Sequence, residues 1–278
     1  MKGRLVIVKG AGDLASGVAH RLKSCGFSII LLEMPQPTVI RRTVAFAEAV
    51  YQGEVQVEGI SARLCQTLTE AGKIAETEKV AVMIDPEWEV IKALKPAAVV
   101  DAILAKRNLG TSISDAPVVI GLGPGFNAGV DVHAVVETQR GHDLGRVIYQ
   151  GRAISNTGIP CVVGGYGAER VLRSPGAGVF TGCSSIGEVV KAGETVAVVG
   201  DRAVQATLDG VLRGLLQSGL VVEEGYKVGD IDPRCVVKNC FAISDKARAI
   251  AGGVLEALLH LLIEGEALWT MNSGKRSN

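Results

Sequence analysis

The first 33 residues combine two apolar runs, a glycine loop and a helical pattern, and their order constrains the fold most strongly. Residues 4–8 form the first apolar run, Gly10-Ala11-Gly12 follows it, and the second run covers residues 27–32. A strand, a glycine loop, a helix and a strand in this order predict a βαβ unit whose strands lie parallel in one sheet. Further apolar runs predict that the sheet continues at residues 80–84, 97–100 and 117–122. We therefore expect an α/β fold with a Rossmann-like parallel sheet.

An internal repeat indicates a second type of structure later in the chain. Gly187-Glu-Val-Val-Lys-Ala-Gly193 matches Gly219-Leu-Val-Val-Glu-Glu-Gly225 at both glycines and both valines. Two copies of a strand-turn unit predict a β-rich barrel-sandwich module, similar to biotinyl and lipoyl carrier domains. The hairpin near Gly200 lacks the lysine that such carriers modify, so we expect the scaffold without the carrier chemistry.

These patterns divide the chain into three parts. We expect a Rossmann-like nucleotide-binding domain over residues 1–172, the barrel-sandwich module over 173–235, and a C-terminal helix with a tail over 236–278. The segment Asp230-Ile-Asp232-Pro233-Arg234 lies at the second boundary. We interpret it as a turn that anchors the last helix through an ion pair.

The composition excludes some classes of function. Lys and Arg number 29 and Asp and Glu also number 29, so the chain lacks the excess positive charge of a general nucleic-acid binder. The apolar stretch 250–263 is too short to span a bilayer, the first residues do not resemble a signal peptide, and the six cysteines contain no CxxC pair. We therefore expect a cytoplasmic protein with packed thiols and no nucleic-acid or membrane partner, and the sequence leaves a homo-oligomer open.

The first glycine loop is a candidate nucleotide site. Gly10 and Gly12 allow close backbone approach to a pyrophosphate, and the helix that follows supplies free N–H groups. Glu33 ends the second strand, where an acid accepts a hydrogen bond from a ribose hydroxyl and favours NAD over NADP. Asp13 is unfavourable beside a phosphate unless it caps the helix or binds a metal. The pattern predicts that these four residues bind a nucleotide, and the alternative is a glycine turn without one.

Cationic side chains follow other predicted strands. Of the adjacent Arg41 and Arg42, at most one needs to face a ligand. A guanidinium suits phosphate or carboxylate, and we place Arg42 in the candidate site. Asp101 ends a strand, and Lys106, Arg107 and Asn108 follow it in a loop. Ligands of open α/β sheets bind at this edge, so we add these residues to the candidate site. Solvated surface charges are the alternative for both groups.

A second glycine loop, with Gly121, Gly123 and Gly125, follows the strand near residue 120. Successive glycines aim N–H groups into an anion-binding nest, and the loop lacks the Lys-Ser/Thr ending of a P-loop. Downstream, Glu137 and His142 stand at a strand end and in a turn. With Asp101, they are our candidates for proton transfer or metal contact. The metal stays open, since the spacing of the histidines matches no common zinc pattern.

Several longer motifs together resemble a known family. They are GAGDLASG (10–17), the Arg41-Arg42 pair, DAILAKRN (101–108), GLGPGFNAG (121–129), ETQRGHDLG (137–145), DGVLRG (209–214), DIDPR (230–234) and ISDKARAIAGGVLEA (243–257). The chain resembles, from about residue 4 to 262, the selenium-dependent molybdenum hydroxylase accessory (maturation) family, which is related to the xanthine dehydrogenase accessory proteins. The resemblance implies a role in finishing a molybdopterin enzyme, by handling its cofactor or a terminal sulfur or selenium ligand.

Three functions are compatible with these observations. The first is an accessory protein that binds a phosphate-bearing dinucleotide, which by the resemblance is a molybdopterin-type cofactor, and whose partner is a molybdenum hydroxylase. The second is an NAD-dependent oxidoreductase, based on the first glycine loop and Glu33. The third is a non-catalytic scaffold whose β module docks a partner. Whether the chain is an enzyme stays open.

Overall fold

A nine-stranded sheet is the central feature of the computed structural model, which describes residues 3–156, 158 and 162–274, with side chains as far as residue 263. Its strands lie in the order β3-β4-β5-β2-β1-β6-β7-β8-β9. Their bounds are β1 (Leu5–Lys9), β2 (Ser28–Glu33), β3 (Glu54–Val57), β4 (Ile60–Leu64), β5 (Val80–Ile84), β6 (Ala98–Asp101), β7 (Val118–Leu122), β8 (Ala134–Val136) and β9 (Val147–Ile148).

The sheet is mixed, so the prediction of a parallel sheet is wrong at both edges. The strands from β4 to β8 in spatial order run parallel, whereas β3 and β9 run antiparallel to their neighbours. Only Glu58 and Gly59, both with positive φ, connect β3 to β4. A two-residue turn of this kind joins antiparallel strands, because a parallel pair needs a crossover of a dozen or more residues.

Two helices pack together beside the sheet. The helices of the chain are α1 (Asp13–Ser24), α2 (Ala49–Gln52), α3 (Leu68–Ala75), α4 (Glu89–Leu94) and α5 (Asp245–Gly274). Gly17 of α1 faces Ala247 of α5 so closely that a Cβ on the glycine would lie 2.8 Å from the alanine side chain. Both residues are near the start of their helices, so the two N-termini lie side by side. Within the described residues, no helix combines the length and the apolar character needed to cross a bilayer.

Residues 171–232 form two four-stranded antiparallel sheets, in the orders β10-β17-β15-β12 and β14-β13-β11-β16. Their bounds are β10 (Val171–Arg173), β11 (Gly178–Gly182), β12 (Val189–Val190), β13 (Thr195–Val199), β14 (Arg202–Gln205), β15 (Gly210–Leu215), β16 (Val221–Val222) and β17 (Lys227–Asp232). The valine pairs of the internal repeat form the edge strands β12 and β16, one in each sheet.

The prediction of a barrel-sandwich module of the biotinyl or lipoyl type is corrected here. The structure has two antiparallel sheets instead, and one of them is joined to the α/β part. A Cβ on Gly214 of β15 would lie 3.2 Å from the Ile40 side chain, and the Leu215 N–H donates to the Ile40 carbonyl at 2.8 Å. A glycine and valine repeat specifies turns and short strands but not their tertiary setting. The fold is mixed α/β with a large mixed sheet and antiparallel sheets, and the domain boundaries stay a prediction.

Candidate functional site

A cleft lies where the carboxyl ends of β1, β2 and β6 meet the β module. It consists of two adjoining cavities of about 510 and 760 Å³, sizes typical of small-molecule sites. Four residues line both cavities, namely Arg41, Arg140, Arg213 and Ser244. Because these side chains are shared, the two cavities form one continuous surface, which we call the cationic cleft.

The lining of the cationic cleft is strongly positive. Among the described residues it carries seven cationic side chains, which are Arg41, Lys106, Arg140, Arg213, Lys227, Arg234 and Lys246, against three acids, which are Asp13, Asp230 and Asp245. The first residues of α1 and α5 also belong to the lining, and helix N-termini favour anions through free N–H groups and the helix dipole. The cationic side chains and the helix N-termini therefore both favour the binding of an anion.

Arg41 lies at the centre of the cleft. Its side chain is only 8% exposed. Its guanidinium donates to the carbonyls of Asn239 and Ala242 at 3.0 and 3.1 Å and lies 3.4 Å from Asp13. Its Nε has no hydrogen-bond partner in the described part of the chain. Burial lowers the pKa of Arg41, although the nearby Asp13 opposes this effect. A buried cation is thus only partly compensated by the protein.

Two buried carboxylates of β17 orient other arginines. Asp230 accepts from Arg170 at 2.8 Å and from two nitrogens of Arg213. Asp232 accepts from Arg234 at 2.6 and 2.9 Å. Burial opposes the ionisation of Asp232, but the hydrogen bonds from Arg234 hold its pKa below the usual value. The DIDPR segment therefore binds arginines at the cleft, and Arg234 also helps to lower the pKa of Asp245 at the start of α5.

The start of α5 supplies a further arginine contact. Arg140 donates to both carboxylate oxygens of Asp245 at 2.6 and 2.8 Å, and this pair holds the pKa of Asp245 well below its usual range. Ser244 caps the helix, because its hydroxyl oxygen accepts from the Ala247 N–H at 3.1 Å. The loop after β8 is thereby tied to the helix at the rim of the cleft.

The first glycine loop is partly filled by the protein itself. Glu33 accepts from the Ala11 N–H and the Met34 N–H, both at 2.8 Å, and burial raises its pKa. Gly10 adopts a φ of +90°, and a Cβ there would lie 3.3 Å from the Ala102 carbonyl oxygen. The Glu33 carboxylate, predicted to bind a ribose, is engaged by the loop amide. Gly12 has room beside it, and Asp13 lies in the cleft.

The second glycine loop is closed by close packing. A Cβ on Gly121 would lie 2.5 Å from the Phe126 ring, and a Cβ on Gly123 would lie 2.5 Å from the Thr138 hydroxyl. A Cβ on Gly125 would lie 2.8 Å from the backbone of Arg107. These three glycines make room for the protein's own atoms, and the predicted anion nest stays a prediction.

Asp101 belongs to a buried polar network beside the first glycine loop. It accepts from the Thr111 hydroxyl at 2.6 Å and the Ile103 N–H at 3.1 Å, and burial raises its pKa. Lys9, which is 1% exposed, donates to the same hydroxyl at 2.8 Å and to Asp115 at 3.3 Å. Asn108 closes its own loop through the backbone of Gly110 and Thr111. The network fixes the conformation of the loop that carries Lys106. The hydrogen bonds of Asn108 stay within that loop.

In the described part of the chain, no hydrogen bond joins the three predicted proton-transfer residues, Asp101, Glu137 and His142, to one another. Glu137 is buried and accepts from the N–H groups of Thr138, Gln139 and Ile154 at 2.7 to 2.8 Å, so it holds a turn. His142 is exposed between β8 and β9. His133 accepts from the Val119 N–H at 2.9 Å through Nδ1. Among the described residues, no cluster of three or more His, Cys, Asp or Glu side chains could hold a metal ion.

The remaining predicted residues are divided between the cleft and other surfaces. Lys106 lines the cleft, whereas Arg107 is exposed. Arg42 donates to the Leu215 carbonyl at 3.1 Å and to Glu48 at 3.1 Å, so it joins the α/β part to the β module. Arg42 lines a separate pocket rather than the cationic cleft, and its predicted role at a ligand stays a prediction. Of the cysteines, Cys65 and Cys240 are buried while Cys25, Cys183 and Cys235 are exposed; Cys161 lies outside the described residues.

Sequence reasoning missed most of the cationic lining. Arg213, Arg234 and Lys246 stand in the motifs DGVLRG, DIDPR and ISDKARA, which were noted without a site role. Arg140 stands in ETQRGHDLG, and only Lys227 stands in no quoted motif. The usable signal was that each of these motifs contains a cation. Their convergence at one cleft depends on the tertiary fold.

Comparison with curated proteins finds a relative that is similar over most of this chain. It is 53% identical over 262 residues to the uncharacterized protein YqeB of Escherichia coli K12, a match that covers 94% of this chain and 48% of the relative. The chain thus spans about half the length of the curated relative it matches. No family model matches the chain.

Solved structures similar to the chain include an aspartoacylase family protein from Mesorhizobium loti and the ectoine utilization protein EutE (DoeB) from Ruegeria pomeroyi. Each is 13% identical and covers 83% of this chain and 85% of its own, with TM-scores of 0.27 and 0.25. Similarity at this level supports no functional transfer.

These findings correct the resemblance drawn from the motifs. The curated relative does not point to a molybdenum hydroxylase accessory protein, to selenium or to xanthine dehydrogenase maturation. The two alternatives also lack support. Glu33, on which the NAD-dependent oxidoreductase hypothesis relied, accepts from the Ala11 N–H of the glycine loop, and the β module is joined to the α/β part through Ile40. What remains as a candidate site is the cationic cleft.

Proposed function

We propose that the chain binds a small anionic molecule, bearing phosphate or carboxylate groups, in the cationic cleft. The observation that carries this proposal is Arg41, a buried guanidinium at the junction of both cavities with one nitrogen unpartnered in the described part of the chain. The bound anion adds negative charge that compensates the buried guanidinium of Arg41.

The energetics of burial support an anionic ligand. A buried cation loses its hydration, which costs several kcal/mol unless a partner of opposite charge compensates it. Arg41 has Asp13 at 3.4 Å, but that carboxylate is 31% exposed, and the repulsion from Arg213 opposes the attraction of Asp230. An anion between the arginines removes the repulsion and pairs the guanidinium groups.

The arginines are also held in place before a ligand arrives. The carboxylates of Asp230 and Asp232 hold Arg213 and Arg234 in place through ion pairs, and the carboxylate of Asp245 holds Arg140. A guanidinium has five N–H donors in a planar fork. Arg213 binds Asp230 and Arg234 binds Asp232 through Nε and one terminal nitrogen, so these ion pairs fix both guanidinium groups at the cleft and leave little further entropic cost.

Calorimetric titration with inorganic phosphate and with citrate tests the proposal. We expect binding that weakens with added salt, because exposed charges are screened. The variant Arg41→Gln should lose about tenfold in affinity or more, while Arg146→Gln, an exposed arginine outside the cleft, should bind as the unmodified protein does. If Arg41→Gln does not fold, Lys106→Met and Lys227→Met give the same test at exposed positions. Equal affinity in the unmodified protein and in these cleft variants would contradict the proposal.

The other predictions about ligands and partners have no test in these observations. A molybdopterin-type cofactor or NAD as ligand, a molybdenum hydroxylase or another copy of the chain as partner, and a cytoplasmic location all stay predictions. The proposal of an anion site depends on none of them.

A further inference from the structure

Lys227 lines the cationic cleft, and its amine forms no hydrogen bond and no ion pair in the described part of the chain. It is the first residue of β17 and is exposed in the larger cavity, of about 760 Å³. Asp230, on the same strand, is paired with Arg170 and Arg213 instead. No carboxylate therefore holds Lys227 directly, and its amine stays available to a ligand.

The surroundings of Lys227 favour the neutral amine. Desolvation by the surrounding protein lowers its pKa, although the residue is accessible from the cleft. The carboxylates of Asp230 and Asp13 oppose this effect, whereas the guanidinium groups of Arg213 and Arg170 add to it. A lysine acts as a nucleophile only after it loses its proton, and a desolvated position beside other cations promotes that loss.

Two other lysines show how accessibility and pKa are usually linked. Burial also lowers the pKa of Lys23, but that residue is only 9% exposed and its amine donates to the Ala75 carbonyl at 2.9 Å. Lys92 is accessible, but its hydrogen bond to Glu89 raises its pKa. Lys227 thus combines the accessibility of a surface lysine with the lowered pKa of a buried one.

Lys227 and Arg41 belong to the same charged neighbourhood. Both residues line the cavity of about 760 Å³, and the charges of Asp13, Arg213 and Asp230 act on both of them. A cavity of this volume accommodates a small molecule. A molecule whose anionic group binds Arg41 can therefore present a second group to the amine of Lys227.

We infer that Lys227 forms an imine with an aldehyde or ketone that carries a carboxylate or phosphate group, which Arg41 binds. The inference rests on the proposed anion binding and adds the class of ligand. The amine attacks the carbonyl carbon and forms the C–N bond. The carbonyl oxygen takes one proton from the amine and one from solvent and leaves as water, so a protonated imine remains. Binding of the anionic group holds the carbonyl beside the amine and raises the rate over that of an ordinary lysine.

Trapping with glyoxylate and sodium cyanoborohydride tests the inference. The hydride reduces the imine carbon and leaves a carboxymethyl group on the lysine, which peptide mass spectrometry locates. We expect Lys227 to react about tenfold faster than Lys106, which is exposed in the same cavity, and than Lys92 outside the cleft. Equal rates at the three lysines would overturn the inference, although calorimetric binding of inorganic phosphate would leave the proposed anion site intact. The absence of phosphate binding would contradict the proposed function itself.

A second aldehyde separates the role of the anionic group from that of the amine. Arg41→Gln should slow the labelling of Lys227 by glyoxylate about tenfold, while its labelling by propionaldehyde, which carries no charge, should change by less than about twofold. Arg146→Gln is the control outside the cleft. If Arg41→Gln does not fold, competition by inorganic phosphate against each aldehyde replaces it. An equal response of the two aldehydes would overturn the inference.

The pH dependence of the same reaction gives a further readout. Within one sample, the ratio of Lys227 labelling to Lys92 labelling should fall as the pH rises, because Lys92 then also loses its proton. A ratio that stays constant with pH would contradict the role assigned to the neutral amine of Lys227.

Discussion

The two glycine loops and the cationic cleft differ in what surrounds their potential anion-binding groups. The loops consist of neighbouring residues, and their spaces are filled by Glu33, Phe126 and Thr138. The cleft collects side chains from positions as far apart as Arg41 and Lys246, and its central arginine keeps a nitrogen unpartnered in the described part of the chain. A glycine at a strand end predicts a close approach, but the approaching atoms belong as readily to the protein as to a ligand.

The largest expected effect concerns the carboxylates that hold the cleft together. Asp230→Ala leaves Arg170 and Arg213 without their buried partner, and removing one member of a buried ion pair costs about 3–5 kcal/mol of unfolding free energy. Urea denaturation measures the change. Asp209→Ala removes an exposed carboxylate that pairs with Lys191 and should leave the stability nearly unchanged. Similar losses in both variants would show that the cleft is not held by buried charge.

The second glycine loop gives the next effect. Gly125→Ala introduces a Cβ at 2.8 Å from the Arg107 backbone on a residue with a φ of +116°, and strain with overpacking should cost about 2–4 kcal/mol. Gly72→Ala in α3, where nothing lies within 4 Å of the new Cβ, should instead stabilise by up to about 1 kcal/mol. A Gly125→Ala protein as stable as the unmodified one would mean that the loop is open after all.

The buried network beside the first glycine loop should respond less. Lys9→Met removes the donor to Thr111 and Asp115 and the cation 5.3 Å from the Trp88 ring. The loss of a buried, charged hydrogen-bond donor should cost about 1–3 kcal/mol, measured by denaturation followed through tryptophan fluorescence. Lys92→Met, at a surface pair with Glu89, should leave stability nearly unchanged. Equal stability of the two variants would show that the network does not stabilise the fold.

The smallest effect is a pH dependence at Glu33. Burial raises its folded pKa above the ordinary value of 4.5, so between these two values the folded chain holds a proton that the unfolded chain has released. The unfolding free energy contributed by Glu33 is therefore largest below 4.5 and falls as pH rises through the folded pKa. Measured against Glu33→Gln, the unmodified protein should lose relative stability with rising pH in this window. A flat difference would contradict the burial of the carboxyl group.

Much of the α/β architecture followed from local sequence. The apolar runs at the start of the chain and at residues 80–84 coincide with β1, β2 and β5, because buried strands need continuous apolar residues. The antiparallel edges were not predicted, since the Glu58-Gly59 turn was not recognised as a hairpin connection. The barrel-sandwich prediction relied on a short repeat, and this repeat indicates only turns and edge strands.

The candidate site was predictable only in part. Asp13 and Lys106 were selected because they follow strands of the sheet, and they do line the cleft. Arg41 and Arg42 are adjacent and chemically identical, so only tertiary contacts distinguish the buried residue from the one that joins the β module. Arg213 and Arg234 reach the cleft because β15 and β17 pair, and a long-range strand pairing leaves no local signal in the residues that it brings together.

Calorimetric titration with inorganic pyrophosphate tests most directly whether side chains of the cleft, rather than the glycine loop, hold the anion. The comparison uses the unmodified protein, Arg41→Gln and Gly12→Ala, whose new Cβ would meet only Val39 at 3.9 Å. We expect Arg41→Gln to weaken binding by about tenfold or more and Gly12→Ala to change it by less than about twofold. Binding that is lost in Gly12→Ala and retained in Arg41→Gln would contradict the account and return the site to the glycine loop.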